Sequence, residues 1–195
     1  MGSATAIANF PTNKEKSKRL ITLETFHQLY DNRADDYKYE WCNGIVEKTP
    51  RTMNRSQLFI VQNLSRLFLQ TVAFKNRGEL EREVKMFLPK ANRSRVADLA
   101  YLTAAQVRET DDIRPGISEF VIEIISKNDK AEDVQEKRDE YFADGVKVVW
   151  QIYPRLKLVE VHTSPNDVKI CRGTAICSAA PVLLDFNIAS QDLFK

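Results

Sequence analysis

The apolar residues of this chain recur at two spacings, which predict helices in some segments and strands in others. The longest helical stripe consists of residues three or four positions apart: Leu58, Val61, Leu64, Phe68 and Val72. This spacing is typical of one face of a long amphipathic helix, and we expect Gly78 to end it. Residues 79–88 alternate between apolar and polar, which predicts a half-buried strand with these side chains on one face: Leu80, Val84, Met86 and Leu88.

A hairpin is predicted within residues 39–48. Asn43 and Gly44 separate two strand-like runs there, and this pair supplies the positive φ angles of a tight two-residue turn. In that register Glu40 faces Glu47 across the two strands. Like charges in that position repel each other, so we expect a cation close to one of them.

Two strongly apolar runs each contain one carboxylate. Residues 120–126 predict a central strand covered on both faces, with Glu123 in its middle, and residues 96–102 enclose Asp98 in the same way. Burying an unpaired carboxylate costs several kcal/mol, so each acid needs a partner. Taken singly, Asp98 could cap a turn and Glu123 could pair with a structural cation. Taken together, the two acids on neighbouring strands are the hard oxygen ligands that Mg²⁺ prefers.

The helix after Glu123 carries a lysine on its apolar side. We expect this helix to run from residue 128 or 129 to residue 143, with Gly145 at its end. Val134, Lys137 and Tyr141 lie three and four positions apart, on a stripe that should face the sheet. Lys137 would then reach the buried carboxylates, where it could activate a water molecule or stabilise charge. The alternative is that its ammonium extends to the surface while its stem covers apolar area.

The remaining segments complete a mixed α/β (α+β) order with helices on the faces of a central sheet. They are a short helix over residues 22–30 capped by Thr22, a basic loop over residues 89–95, a short helix from Thr103, a turn at residues 114–116, strands over residues 146–152, 158–162 and 168–171, and a closing segment over residues 183–194. The basic side chains of Lys90, Arg93 and Arg95 could contact phosphates, or could simply lie in a solvated loop.

Composition narrows the classes of protein. The 195 residues suffice for one domain, and we expect residues 1–19 to be a flexible arm and residues 20–195 a single domain. A net charge of +2 neither requires nor excludes a polyanionic partner. Three cysteines and two histidines make a zinc site a poor expectation and fit reduced thiols in a cytoplasmic protein. No apolar run is long enough to span a bilayer, and none at the start reads as a secretory signal.

The order of these features resembles the Uma-two family, which consists of restriction-endonuclease-like proteins in the PD-(D/E)XK nuclease superfamily. The resemblance covers about residues 20–194. It rests on these residues in this order: Tyr39, Glu40, Asn43, Gly44, residues 96–98, residues 121–126, Lys137, Tyr141, Gly145, Val146 and Trp150. It implies a restriction-endonuclease-like core, with a mixed central sheet flanked by helices and preceded by the N-terminal helix and hairpin.

The resemblance also implies a site. Asp98 and Glu123 would hold Mg²⁺ or Mn²⁺, Glu40 would be an auxiliary metal ligand and catalytic residue, and Lys137 would replace the superfamily lysine, whose usual position is Ile125 here. Gln57 stands near a position where relatives often have histidine. The function implied is an endonuclease that hydrolyses phosphodiester bonds of DNA, in a possible homodimer. The alternative is a non-catalytic nuclease-fold protein that binds nucleic acid or a protein partner.

Overall fold

The structure is a computed structural model that describes residues 20–51, 54–109 and 116–195. The predicted arm of residues 1–19 and most of the predicted turn at residues 114–116 lie outside these ranges. The helices are α1 (Leu23–Tyr30), α2 (Arg55–Phe68), α3 (Val72–Lys75), α4 (Ala104–Arg108), α5 (Ala131–Ala143) and a closing 3-10 helix (Ser190–Phe194). The strands are β1 (Tyr37–Cys42), β2 (Ile45–Pro50), β3 (Glu79–Leu88), β4 (Arg93–Leu102), β5 (Phe120–Ile124), β6 (Val148–Tyr153), β7 (Leu158–Ser164), β8 (Asp167–Arg172), β9 (Ile176–Ala179) and β10 (Leu183–Ala189).

Eight strands form one mixed sheet, in the order β2-β1-β4-β5-β6-β7-β8, with β3 also paired to β4. Because β3 pairs along the whole of β4, strands β1 and β5 share the other edge of β4. Strands β5 and β6 are parallel and are connected through α5, whereas the other pairs described in this sheet are antiparallel. The predicted fold class, a mixed sheet flanked by helices, is therefore confirmed.

The hairpin forms as its sequence predicts. Asn43 and Gly44 have φ angles of 48° and 93°, and β1 pairs with β2 in the register that sets Glu40 opposite Glu47. The predicted helix cap at Thr22 is also present, because its hydroxyl accepts the backbone N–H of Thr25.

The two faces of the sheet are buried under different elements. On one face α2, β10 and the closing helix pack against β5, β6 and β7, around Trp150 and Phe186. On the other face α5 packs through Tyr141 against Val121 and Val149. A third small cluster around Trp41 joins α1 to the hairpin. Acidic side chains on the α5 face of β4 and β5 are consequently enclosed between the sheet and α5.

Two predictions about helices and strands are wrong. The long helix does not continue to Gly78: α2 ends at Phe68, and Thr71 caps the separate helix α3 by accepting the N–H of Phe74. The side chains of β3 do not share one face either. Leu80 packs with the α2 face, whereas Val84, Met86 and Leu88 pack with the α5 face. Glu83, with a φ angle of 52°, lies where the change of face occurs.

Two further segments differ from their predictions. Residues 89–95 are not a loop throughout, because β4 begins at Arg93 and Arg95 is buried. Residues 176–179, for which the sequence analysis predicted no strand, form β9, which pairs with β10 in a separate two-stranded sheet.

Candidate active site

Asp98 and Glu123 lie side by side on adjacent strands, as the sequence predicts. The ladder between β4 and β5 ends at the pair Leu99 and Ile122, so each acid lies one residue beyond this pair on its own strand. Both acids line the same cleft. The Asp98 carboxylate also accepts the backbone N–H of Ile124 at 2.8 Å, which holds it against the edge of β5.

Lys137 reaches this pair of acids from α5. Its ammonium lies 3.1 Å from Glu123 Oε1 and 3.0 Å from Glu40 Oε1, and donates to the carbonyl of Val96 at 3.0 Å. The predicted direction of the stripe is therefore correct, and the alternative of a surface lysine is wrong. An ammonium has three N–H donors. Each of the three faces one acceptor, so Lys137 is fully engaged by the protein.

Glu123 is enclosed by Lys137 and Tyr141. The Tyr141 hydroxyl donates to Glu123 Oε1 at 2.7 Å. Burial raises the pKa of Glu123, and the nearby charge of Asp98 adds to this, although Lys137 opposes it. Burial disfavours the charge on Lys137, but Glu123 and Glu40 outweigh this effect and raise the lysine pKa well above its ordinary value. Lys137 therefore stays charged and compensates the acids around it.

Glu40 projects from β1 into the same cluster. Its Oε1 accepts the N–H of Val96 at 2.7 Å and faces Lys137, while its Oε2 lies 3.1 Å from Arg95 Nη1. Burial alone would raise the pKa of Glu40, but Lys137 and Arg95 lower it to about 2. Both oxygens are thus occupied by donors of the protein, and the role of Glu40 as a metal ligand stays a prediction.

Arg95 is a site residue that belongs to β4, although the sequence predicts a basic loop there. Its guanidinium donates to Glu140 at 2.7 and 3.1 Å and also lies 3.4 Å from Glu47 Oε2. Burial opposes the charge, but the hydrogen bonds to Glu140 and the charge of Glu40 keep the pKa of Arg95 above its ordinary value. The predicted repulsion between Glu40 and Glu47 was the signal for this cation, since Arg95 contacts both acids.

Lys38 is a second site residue that the sequence pattern does not predict. It lies two positions before Glu40 on β1, so both side chains project from the same face. Its ammonium lies 2.7 Å from Asp98 Oδ1. Burial lowers the pKa of Lys38, but the charges of Asp98 and Glu123 outweigh it, and the net shift is upward. The alternation along β1 was the available signal, although nothing in the sequence connects Lys38 to Asp98.

These side chains lie in a cleft of about 800 Å³. One wall is formed by the end of β2 and the start of α2, and the other by residues 124–130 and α5. Gln57, which stands where relatives often have histidine, lines this cleft, but its side chain accepts the N–H of Asn54 as part of the α2 capping box. The basic side chains along the cleft are Lys38, Lys48, Arg51, Arg95, Lys127, Lys130, Lys137, Arg138 and Arg155.

The donor set fits Mg²⁺ through two carboxylates only. Asp98 Oδ1 faces Lys38, and both donors to Glu123 meet Oε1, so within the described residues no donor reaches Glu123 Oε2. No group of three His, Cys, Asp or Glu side chains suited to a metal ion occurs in residues 20–51, 54–109 and 116–195. Mg²⁺ commonly uses one or two carboxylates and completes its octahedron with water and substrate phosphate. Two acids beside a cleft therefore suit Mg²⁺.

The fold is that of a nuclease-like protein. The chain is similar to a solved structure described as a putative nuclease belonging to DUF820 from Anabaena variabilis, with a TM-score of 0.75 and 17% identity over 89% of this chain and 97% of that one. At this identity the likeness shows the fold alone. The chain belongs to the Uma2 family, described as "putative restriction endonuclease", whose family model matches residues 23–191. Among curated proteins, none matched. Within the described residues, no helix is long and apolar enough to cross a membrane.

Proposed function

We propose that this protein is a metal-dependent endonuclease that hydrolyses phosphodiester bonds of DNA, with Asp98 and Glu123 as the ligands of Mg²⁺ or Mn²⁺. The observation that supports it most is the pair of acids on the adjacent strands β4 and β5, which line one cleft of about 800 Å³. Glu40 is the predicted auxiliary ligand, and its oxygens, like those of Asp98, already face donors of the protein, through which Glu40 also fixes Lys137 and Arg95.

The residues of the chain would divide the chemistry among them. A bound divalent cation supplies Lewis acidity toward a phosphoryl oxygen and lowers the pKa of a bound water molecule. Asp98 and Glu123 bind and orient that ion. Lys137 would stabilise the negative charge of the site, because its ammonium lies within 3.1 Å of both Glu123 and Glu40. Tyr141 fixes the orientation of Glu123 through its hydroxyl.

A second candidate function is favoured by a separate observation. Asp98 and Glu123 each already face an ammonium, from Lys38 and Lys137 respectively. A site that its own lysines neutralise can be stable without any metal ion. The alternative proposal is therefore a non-catalytic protein that uses the nuclease fold to bind nucleic acid or a protein partner.

Thermal unfolding with Mn²⁺ separates the two candidates. An ion that binds only the folded state raises the melting temperature as its concentration increases. We expect Mn²⁺ to raise the melting temperature of the wild type and to leave Asp98→Asn unchanged. Glu119→Gln is the matched control, because Glu119 pairs with Lys147 outside the cleft and should retain the full shift. An equal shift in wild type and Asp98→Asn would contradict the metal site.

Cleavage of plasmid DNA with Mg²⁺ or Mn²⁺ then tests the activity itself. We expect wild type and Glu119→Gln to nick and linearise the plasmid, and Asp98→Asn and Glu123→Gln to be inactive. Asp98-dependent Mn²⁺ binding without cleavage of DNA would favour the non-catalytic candidate. A homodimer and a cytoplasmic location remain predictions, and size-exclusion chromatography with light scattering tests the former.

A further inference from the structure

The two lysines of the site differ in how far the protein occupies them. The three N–H donors of Lys137 face the Val96 carbonyl, Glu40 and Glu123. The Lys38 ammonium, by contrast, has one acceptor among the described residues, Asp98 Oδ1. Lys38 also lines the cleft, and its side chain is 19% exposed. Of the two ammonium groups, only that of Lys38 has donors left for a ligand.

The single acceptor of Lys38 is also one of the two proposed metal ligands. A divalent cation at Asp98 and Glu123 would need the oxygen that Lys38 holds at 2.7 Å. Two cations cannot share that oxygen without strong repulsion, because charges a few ångströms apart near a protein surface interact by several kcal/mol. The lysine side chain is flexible, with four methylene groups and a compact charge. Lys38 can therefore leave Asp98 while its backbone stays fixed in β1.

We propose that Lys38 is a displaceable internal cation, which occupies Asp98 in the metal-free protein and moves to the phosphate of a nucleic acid strand when the divalent cation binds. This inference rests on the proposed function and deepens it, because it couples metal binding to substrate binding through one side chain. No bond is made or broken by Lys38 and no proton is transferred. Its ammonium exchanges a carboxylate acceptor for a phosphate oxygen, a contact that does not depend on base sequence.

The position of Lys38 distinguishes it from Lys48 and Lys137, which line the same cleft. Lys48 lies over the ring of Tyr37, with its nitrogen 3.5 Å from the ring centroid. Lys137 cannot leave its place without uncovering Glu40 and Glu123 together. Lys38 leaves behind only Asp98, which keeps its hydrogen bond from Ile124 and gains the metal ion.

Calorimetric titration of Mn²⁺ into the full chain, without nucleic acid, tests the displacement. Lys38→Met removes the competing charge and should bind Mn²⁺ about tenfold more tightly than wild type, the equivalent of about 1.4 kcal/mol. Lys38→Gln, which keeps a donor for Asp98, should show the same direction and guards against a folding defect of the first variant. Lys147→Met is the matched control, because it removes an ion-paired lysine outside the cleft and should leave the affinity unchanged.

Cleavage of DNA at saturating Mn²⁺ tests the proposed contact of Lys38 with a phosphate. Both Lys38 variants should lose about 100-fold in rate, the scale of losing one charge-stabilising contact. Tighter metal binding combined with slower cleavage is a result that a merely structural lysine would not produce. Unchanged or weaker Mn²⁺ binding by both variants would overturn the displacement, and unchanged cleavage would overturn the phosphate contact, while the metal site itself would stand. Absence of Asp98-dependent Mn²⁺ binding in wild type and in both Lys38 variants would overturn this inference and the proposed metal site together.

Discussion

Replacing Arg95 by methionine is the most direct test of how this site is held together. Arg95 is about 5% exposed, and its guanidinium connects Glu140 on α5, at 2.7 and 3.1 Å, with Glu40 on β1, at 3.1 Å. Methionine fills part of the same volume but carries no charge. Two partly buried carboxylates would lose a partner at once, although Lys137 remains beside Glu40 and Arg93 remains 3.2 Å from Glu140.

The size of the effect follows from the uncompensated charge. Removing one partner of a buried ion pair destabilises a protein by about 3–5 kcal/mol. Because Lys137 and Arg93 still face the two carboxylates, we expect a loss at the lower end of this range, about 3 kcal/mol. Urea unfolding followed by fluorescence measures this loss directly. Adding Glu140→Gln to Arg95→Met should restore part of it, because the double variant no longer buries the Glu140 charge without its closest partner, Arg95. A loss below about 1 kcal/mol in Arg95→Met, or strictly additive effects of the two substitutions, would refute the reasoning.

Three further changes test other parts of the chain. The pKa of Glu40 is lowered from 4.5 to about 2, so the stability that its charge contributes is present above pH 4.5 and is lost as the pH falls toward 2. In urea unfolding, wild type should lose about 3 kcal/mol more than Glu40→Gln between these pH values. Parallel stability curves of the two proteins against pH would contradict this expectation. Lys137→Met should retain Mn²⁺ binding in calorimetry, since lysine is not a ligand, but lose about 100-fold in DNA cleavage, and undiminished cleavage would exclude its role. Gly78→Ala should lower the free energy of unfolding in urea by about 1–3 kcal/mol, because the new Cβ would lie 2.8 Å from the Tyr101 ring and 3.1 Å from two backbone oxygens. An unchanged unfolding midpoint would argue against this crowding.

Local chemistry made the hairpin and the placement of the acids predictable. Asn43 and Gly44 determine the turn, the turn determines the register, and the register sets Glu40 opposite Glu47. Apolar flanks likewise placed Asp98 and Glu123 within strands. Each of these inferences uses only neighbours in sequence, where backbone preferences and alternation decide the outcome.

The contacts that complete the site could not be predicted in this way. Lys38 meets Asp98 across 60 positions and Arg95 meets Glu140 across 45, so their pairing depends on how β1, β4 and α5 are arranged in space. The end of α2 at Phe68 is not predictable from apolar spacing, for a different reason. The apolar spacing continues to Val72, but the hydroxyl of Thr71 caps a new helix, and periodicity carries no information about caps.

The balance of charge in the site connects its stability with its proposed activity. Lys38 and Lys137 compensate Asp98 and Glu123, which allows a half-buried and a buried acid to lie on adjacent strands. Lys137 is bound by three fixed groups, so this compensation is permanent on the Glu123 side. On the Asp98 side it depends on the flexible side chain of Lys38, whose ammonium has one acceptor in the part of the chain that the structure describes. The proposed displacement by a divalent cation would therefore involve Lys38 alone, and Lys38 lines the same cleft as the two acids.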